Sequence, residues 1–286
     1  MKDLNFELAA LCRRNRDGSI SRRSRRFRNL QLFAKTLHEL GFRHMRATSI
    51  KPKHVYALLE YWQTRGATPG TLHNYMAELR WWAEKVGRNH VMQPTNAAYG
   101  IPPRPYANSN KAQFLSDQEF ERLGDPYVRM SARLQQAFGL RREEAMKFQP
   151  RYADRRDHIA LKGTWTKGGR PRVIPIVDAN QRELLNEVHE LAGDGSLIPP
   201  ELNYKQQLSR YSQCISQAGF KNFHGLRHGY AQRRYHQLTG WHCPAAGGLK
   251  RVELAPEQKA LDESMRLKLS RELGHNRIEI TTTYIG

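Results

Sequence analysis

Residues 97–112 read AAYGIPPRPYANSNKA, a stretch rich in Pro, Asn and Ala without hydrophobic period. Proline fixes φ and removes a backbone donor, so closely spaced prolines interrupt helix and sheet alike and mark a connector. The 286-residue chain is thereby divided into two parts of ordinary domain size. We expect residues 1–98 to form one domain, 99–112 a linker and 113–286 a second domain.

The first part reads as helical. Phe27, Leu30, Phe33, Leu37 and Leu40 fall three or four apart and Gly41 can stop the helix. A second helix carries Val55, Leu58, Leu59 and Trp62. A third begins at Thr68-Pro69, a good cap and first-turn pair, and carries Leu72, Met76, Leu79 and Trp82 before Gly87. The second part mixes elements. Ser116 and Glu119 form a capping box opening a helix over 117–124, and a longer helix is expected over 128–148. HIALKG (158–163) and PRVIPIV (171–177) read as a hairpin around a Gly-Gly turn, and helices are expected near 180–192, 203–218, 225–238 and 257–273.

Charge narrows the partners. Lys and Arg number 47 against 27 acidic residues, a formal net charge of +20 with a pI near 10.2. A compact body so charged repels itself unless it meets a polyanion, and nucleic acid is the expected one. A basic membrane-surface protein is the competing explanation and would need an amphipathic basic helix as anchor. Eight arginines crowd residues 12–29; of these Arg22, Arg23, Arg25 and Arg26, with Arg80, Lys85 and Arg88 further on, are the candidate backbone contacts. No run of eighteen apolar residues occurs and MKDLNFELAA lacks a signal-peptide layout, so a cytoplasmic location without membrane partner is expected. Cys12, Cys214 and Cys243 are odd in number and far apart, which implies no disulfide framework. His242-Cys243 has no second ligand pair at finger spacing, and we expect no metal.

Four separated pieces remain: FGLRREEAMKF, TKGGRPR, FHGLRHGYA and ELGHNRIEITTTYIG. Singly, each has a plain structural explanation: a surface Arg-Glu pair, a solvated turn, a capping His, a loop. Together and in order they resemble the tyrosine recombinase (integrase) family. Its signature runs G-L-R-x-x-E, a lysine in a β-hairpin, H-x-L-R-H, L-G-H, and a tyrosine nine residues after the last His. The resemblance spans about residues 113–286 and is strongest to integrases of phages, genomic islands and integrative elements.

The resemblance implies a mainly α fold with a small β-hairpin: a helical SAM-like core-binding domain followed by an α+β catalytic domain. It implies a site-specific DNA recombinase that cuts and rejoins double-stranded DNA through a 3′-phosphotyrosine, without cofactor, metal or ATP, to integrate or excise a mobile element. The implied assembly is a homotetramer on synapsed sites, monomeric or dimeric off DNA, aided by DNA-bending or directionality proteins. No paired-carboxylate metal motif or G-x-x-x-x-G-K-[ST] loop is present.

Physical chemistry gives each implied residue a task. A free tyrosine has a pKa of about 10, so roughly one in a thousand is ionised near neutrality; Tyr284 as nucleophile needs cations and a proton acceptor. The attacked phosphorus gains charge, and Arg141 and Arg227 would clamp its oxygens with forked donors. Lys167 would protonate the leaving 5′-oxygen, with Lys162 as competitor for that role. His224 and His275 would bond the phosphate or accept the phenolic proton. Glu144 would buttress the clamp, and His228 would support the site from behind.

Two features depart from the family. Arg227 and His275 lie 48 residues apart, a gap containing HQLTGWHCPAAGGLKRVELAP. This is read as an inserted loop and a contact for a neighbouring subunit. Most relatives also continue past the tyrosine with a helix that docks on the adjacent protomer. Here Ile285 and Gly286 follow it, so either the insert takes over that contact or the chain is shortened. The competing functions are a type IB topoisomerase, using a similar Arg/Lys/His/Tyr set, and a DNA-binding relative without activity.

Overall fold

A computed structural model describes residues 3–104 and 110–286, so the centre of the expected linker, 105–109, lies outside the described residues. The chain forms two compact units, residues 1–106 and 107–286. In the first, α1 (Asp3–Arg14), α2 (Ile20–Glu39), α3 (Pro52–Thr64) and α4 (Pro69–Lys85) surround one apolar core. Ser19 and Thr68 cap α2 and α4 through their side-chain oxygens. Phe33 lies 4.8 Å from Trp62 and 5.2 Å from Tyr75, ring to ring. Burying each such side chain contributes about 1.5–3 kcal/mol. Helix α1 was not among the sequence expectations; Leu4 and Leu8, one turn apart, bury it in this core.

The register of α2 corrects the expected stripe. Leu30, Phe33 and Leu37 are buried, but Phe27 is 41% exposed and Leu40 40% exposed. Arg26 takes the inward place, at helical spacing from Leu30 and Phe33, and is 2% exposed. Its Nε donates to Glu78 Oε2 at 2.9 Å, an Nη donates to Asp17 O at 3.3 Å, and its guanidinium stacks 4.2 Å from the Trp81 ring. Arg26 is a core residue and cannot reach a DNA backbone; burial was affordable because a carboxylate and an indole face meet the charge.

The second unit is mainly helical with one hairpin. Its elements are α5 (Asp117–Glu121), α6 (Pro126–Phe138), α7 (Arg142–Met146), α8 (Pro150–Ala153), β1 (His158–Leu161), β2 (Arg172–Pro175), α9 (Ala179–Ala192), α10 (Tyr204–Gln217), α11 (His224–Thr239), α12 (Pro256–Glu272) and α13 (Thr282–Ile285). The expected helix over 128–148 breaks at Gly139, whose φ of +63° ends α6, so that Leu140-Arg141 turns before α7. Strands β1 and β2 pair antiparallel, Ile159 opposite Ile174, with both side chains buried. Helix α11, buried on most sides, runs through the unit and packs on α6, α12 and α13. Among the described residues no helix is long and apolar enough to cross a membrane.

Candidate active site

Arg141 is the N-cap residue of α7. Glu144, one turn on, reaches back to accept the Arg141 amide at 2.7 Å and its Nη1 at 2.8 Å. The i,i+3 spacing legible in the sequence thus lets Glu144 accept both the backbone amide and the side chain of Arg141, and so aim its guanidinium. Arg227 lies in the first turns of α11 and is 1% exposed. It donates to Gly139 O and Leu273 O, and its Nε donates to Tyr284 Oη at 3.3 Å. Arg141 Nη2 also donates to Leu273 O, at 3.2 Å, and to His275 Nε2 at 3.1 Å. Since arginine can only donate, His275 Nε2 is the acceptor.

The loop after α12 ties these groups together. Gly274 has φ +70°, and a Cβ there would stand 3.0 Å from Arg172 Nη1 and 3.3 Å from Arg141 Nη1, so the glycine of Leu-Gly-His gives room to two guanidiniums. The Tyr284 ring, 6% exposed, packs 4.8 Å from His228, 6.2 Å from His224 and 6.5 Å from His275. The structure therefore brings Arg141, Arg227, His224, His228, His275, Glu144 and Tyr284 into one site. His228, expected behind the others, has the nearest ring to the tyrosine.

Lys167 sits exposed on the hairpin turn before Gly168 (φ +91°) and Gly169 (φ +73°), and no other described residue pairs with it. Lys162 is held elsewhere: its Nζ donates to Gln149 Oε1 at 2.8 Å and lies 4.2 Å and 5.2 Å from the Tyr152 and Trp165 ring centroids. A side chain so occupied is poorly placed to swing onto a leaving oxygen.

Arg172 was missed by the sequence reading. Its Nη1 and Nη2 donate to the two Glu144 oxygens at 2.8 and 2.7 Å, and its Nε to Glu272 O at 2.9 Å. The available signal was strand alternation: Arg172 and buried Ile174 share a face of β2 while Val173 is 57% exposed.

Electrostatics follow from this crowding. Burial pushes the Glu144 carboxyl up, but the Arg172 hydrogen bonds and charge, with Arg227 and Arg141, outweigh it and bring the pKa to about 2. Burial and then the charges of Arg141, Arg227 and Arg172 lower His275 to about 4. Burial, His224 and Lys111 lower His228 to about 4. His224 has a solvent-facing edge, yet the protein packed around it, then Arg227 and Arg141, lower its pKa as well. Arg227 itself falls to about 10 through burial and its cationic neighbours, against the opposing influence of Tyr284, and stays charged near neutrality. The site thus offers neutral imidazoles beside fixed cations.

Of the remaining candidates on the first unit, Arg22, Arg25 and Arg88 are exposed and Arg23 half-buried. Arg80 is occupied, donating to Asn96 Oδ1 at 2.6 Å, and Lys85 pairs with Glu84 at 3.1 Å. Among the described residues no group of three or more His, Cys, Asp or Glu is placed to hold a metal.

Comparison with known proteins places this geometry. The family model for the phage integrase N-terminal region matches residues 1–92, and the integrase family model matches residues 107–233. The fold is similar to a lambda integrase dimer bound to a COC′ core site, at 14% identity and a TM-score of 0.65, covering 98% of this chain and 77% of that one. The Tn1549 transposon integrase in complex with circular intermediate DNA aligns at 12% identity and a TM-score of 0.60, over 100% and 96% of the two chains. XerH site-specific recombinase bound to difH aligns at 16% and 0.58, over 99% and 81%. No curated protein sequence matches. The fold and family models together define an integrase. The chain belongs to the tyrosine recombinase (phage-type integrase) family and is a site-specific recombinase, an enzyme that cleaves and rejoins DNA.

Proposed function

We propose that Tyr284 attacks a DNA phosphodiester to form a 3′-phosphotyrosine and release a 5′-hydroxyl, and that a new 5′-hydroxyl then reverses the attack to join exchanged strands. Each step trades one phosphoester for another, so no external energy source is needed. The observation that carries the reading is the 3.3 Å contact between Arg227 Nε and Tyr284 Oη, beside Arg141 and His275. A phosphate entering there would compete with the Gly139 and Leu273 carbonyls for the guanidinium N–H groups of Arg141 and Arg227, where removing one preorganised donor typically costs about a hundred- to a thousandfold in rate. Neutral His224, or His275 once the phosphate draws Arg141 away from its Nε2, accepts the phenolic proton, and Lys167 gives one to the leaving oxygen.

On this reading the first unit is the core-binding domain, residues 113–286 the catalytic domain, and each contacts double-stranded DNA in the bacterial cytoplasm. A tetramer forms on synapsed sites, with DNA-bending or directionality proteins as accessories. The substrate is the attachment site of a phage or other mobile element. The test is a nicked suicide duplex carrying the sequence that the full chain selects from a random pool. Wild type should form a denaturant-resistant protein–DNA adduct and Tyr284→Phe none. Adduct without joining of two separate duplexes, but with relaxation of supercoils, would point to a topoisomerase instead.

A further inference from the structure

The insert between α11 and α12 folds back onto the tyrosine segment of its own catalytic unit. Its 3-10 turn Pro244–Ala246 is closed by the Gly248 amide, which donates to Cys243 O at 2.9 Å. Cys243, 1% exposed, belongs to the apolar cluster that holds Tyr284 and Ile285, and Trp241 and Ala245 pack against that cluster. Gly286 comes so near the turn that a Cβ on it would stand 2.9 Å from Pro244 Cβ and 3.0 Å from Ala245 N.

Beneath this contact runs a relay of polar groups. Trp241 Nε1 donates to Tyr235 Oη at 3.1 Å, Tyr235 Oη donates to Asp262 Oδ1 at 2.6 Å, and Asp262 accepts Arg266 Nε at 2.8 Å. Arg266 Nη1 then donates to Gly286 O at 3.0 Å. From α11, Gln232 Nε2 donates to Tyr284 O at 3.1 Å. Asp262 is 0% exposed, Tyr235 1%, Arg266 4% and Gln232 6%. Two backbone oxygens, at the tyrosine and two residues beyond it, are therefore each fixed by a buried donor. A buried ion pair is a poor means of adding stability, since apolar side chains of the same volume serve as well. What this one adds is direction: it sets where the segment bearing the phenol lies.

We propose that the insert and the Trp241–Tyr235–Asp262–Arg266 relay form an intramolecular socket that seats Tyr284 over its own protomer's arginine clamp, making Arg266 and Trp241 positioning residues for the attack. The proposal rests on Tyr284 being the nucleophile. It separates delivery of the phenol from activation of the phosphate, because the relay touches the backbone after α12 and not Arg141, Arg227 or His275. Misplacing a reacting atom by about 1 Å can cost on the order of a hundredfold, and the relay acts on that distance.

The test uses the full chain on the selected nicked duplex. In the free wild type, amides of residues 282–286 should exchange slowly with solvent deuterium. Arg266→Gln and Trp241→Phe should speed that exchange and lower adduct formation about ten- to a hundredfold. In a Tyr284→Phe background, hydrogen peroxide can serve as substitute nucleophile, and the same two changes should leave its strand cleavage unchanged. An equal loss in both reactions would make the relay a support of the whole site and overturn the proposal. So would unchanged adduct formation, or fast exchange at 282–286 in the wild type, a measurement that stands even if a variant fails to fold. Failure of the nucleophile reading is distinguishable, since wild type would then give no adduct at all.

Discussion

Arg141 and Arg227 both donate to the carbonyl oxygen of Leu273. One backbone atom thus gathers two guanidiniums from different helices, and the Leu-Gly-His loop, besides supplying His275, sets the spacing of the clamp. A lysine at either position keeps the charge but loses the fork that spans an acceptor and a phosphate. Arg227→Lys should lower adduct formation about a hundred- to a thousandfold. Its DNA affinity should hold near the wild-type value, as measured by fluorescence anisotropy. A drop in affinity matching the drop in rate would remove Arg227 from the chemistry.

Glu144 is the anionic hub beneath that clamp, accepting from Arg141 and from both Nη atoms of Arg172. Glu144→Ala leaves Arg172, with a side chain 6% exposed, as an uncompensated buried charge, and should destabilise the catalytic unit by about 3–5 kcal/mol. Adding Arg172→Met should recover part of that loss, because the second change removes the orphan. Urea midpoints of the wild type, both single variants and the pair give the cycle; strict additivity would deny the coupling.

How far this was legible in the sequence depended on range. Local signals held: the Ser116 capping box, the Thr68-Pro69 helix start and the hairpin around Gly168-Gly169 are each written within a few residues. The i,i+3 pairs Arg141/Glu144 and His224/Arg227 were visible as spacings, and their order pointed to one site. What failed was long range. Arg26 looks like its arginine neighbours until Glu78, from another helix, arrives beneath it; helix phase alone would have set it beside Leu30. Arg172 reads as part of a basic turn until Glu144 closes on it. The longer helix expected over 128–148 ignored that Gly139 could take positive φ and end it.

Acid should weaken the fold by two routes of the same sign. Unfolded histidines take up protons below about pH 6.5, whereas native His275 and His228 do so only near 4, so stability whole above the unfolded value is lost as pH falls toward 4. Glu144, held ionised down to about 2 against burial by Arg172, contributes stability above its unfolded pKa that is lost as pH falls toward 2. The urea midpoint should therefore decline steadily from about pH 7 to 4. A midpoint unchanged over that interval would contradict it. The same depressed imidazoles predict adduct formation without a histidine break near about pH 6.5.

Arginines of α2 should separate into two kinds. Arg22→Ala, Arg23→Ala and Arg25→Ala together should weaken binding across all DNA sequences and flatten the salt dependence, by a slope of about 0.9 per lost phosphate contact. Arg26→Ala should act on stability, leaving Glu78, 3% exposed, without its buried partner. Its cost should be about 3–5 kcal/mol, read as a lowered midpoint, with an unchanged salt slope for the protein that remains folded. A salt slope altered by Arg26→Ala alone would restore it to the DNA face.

Lys167 and Lys162 sit on the same hairpin but in opposite circumstances. Lys162 is spent on Gln149 and two aromatic faces, a setting that stabilises the turn and holds the ammonium in place. Lys167 is exposed and unpaired among the described residues, on a turn whose two glycines take positive φ. A general acid must move to a leaving oxygen that is absent before DNA binds, and only the second lysine is free to do so. Lys167→Ala should lower adduct formation about a hundred- to ten-thousandfold, the usual range for a positioned proton donor. Replacing the 5′-bridging oxygen of the scissile phosphate by sulfur makes a leaving group that departs without a proton. On that substrate Lys167→Ala should approach the wild-type rate, whereas Arg227→Lys should stay slow because its defect lies in holding the phosphate. Lys162→Ala should behave alike on both substrates and show its effect in thermal stability. If sulfur restores the rate of Lys162→Ala and not of Lys167→Ala, the acid is the caged lysine and the turn serves another purpose.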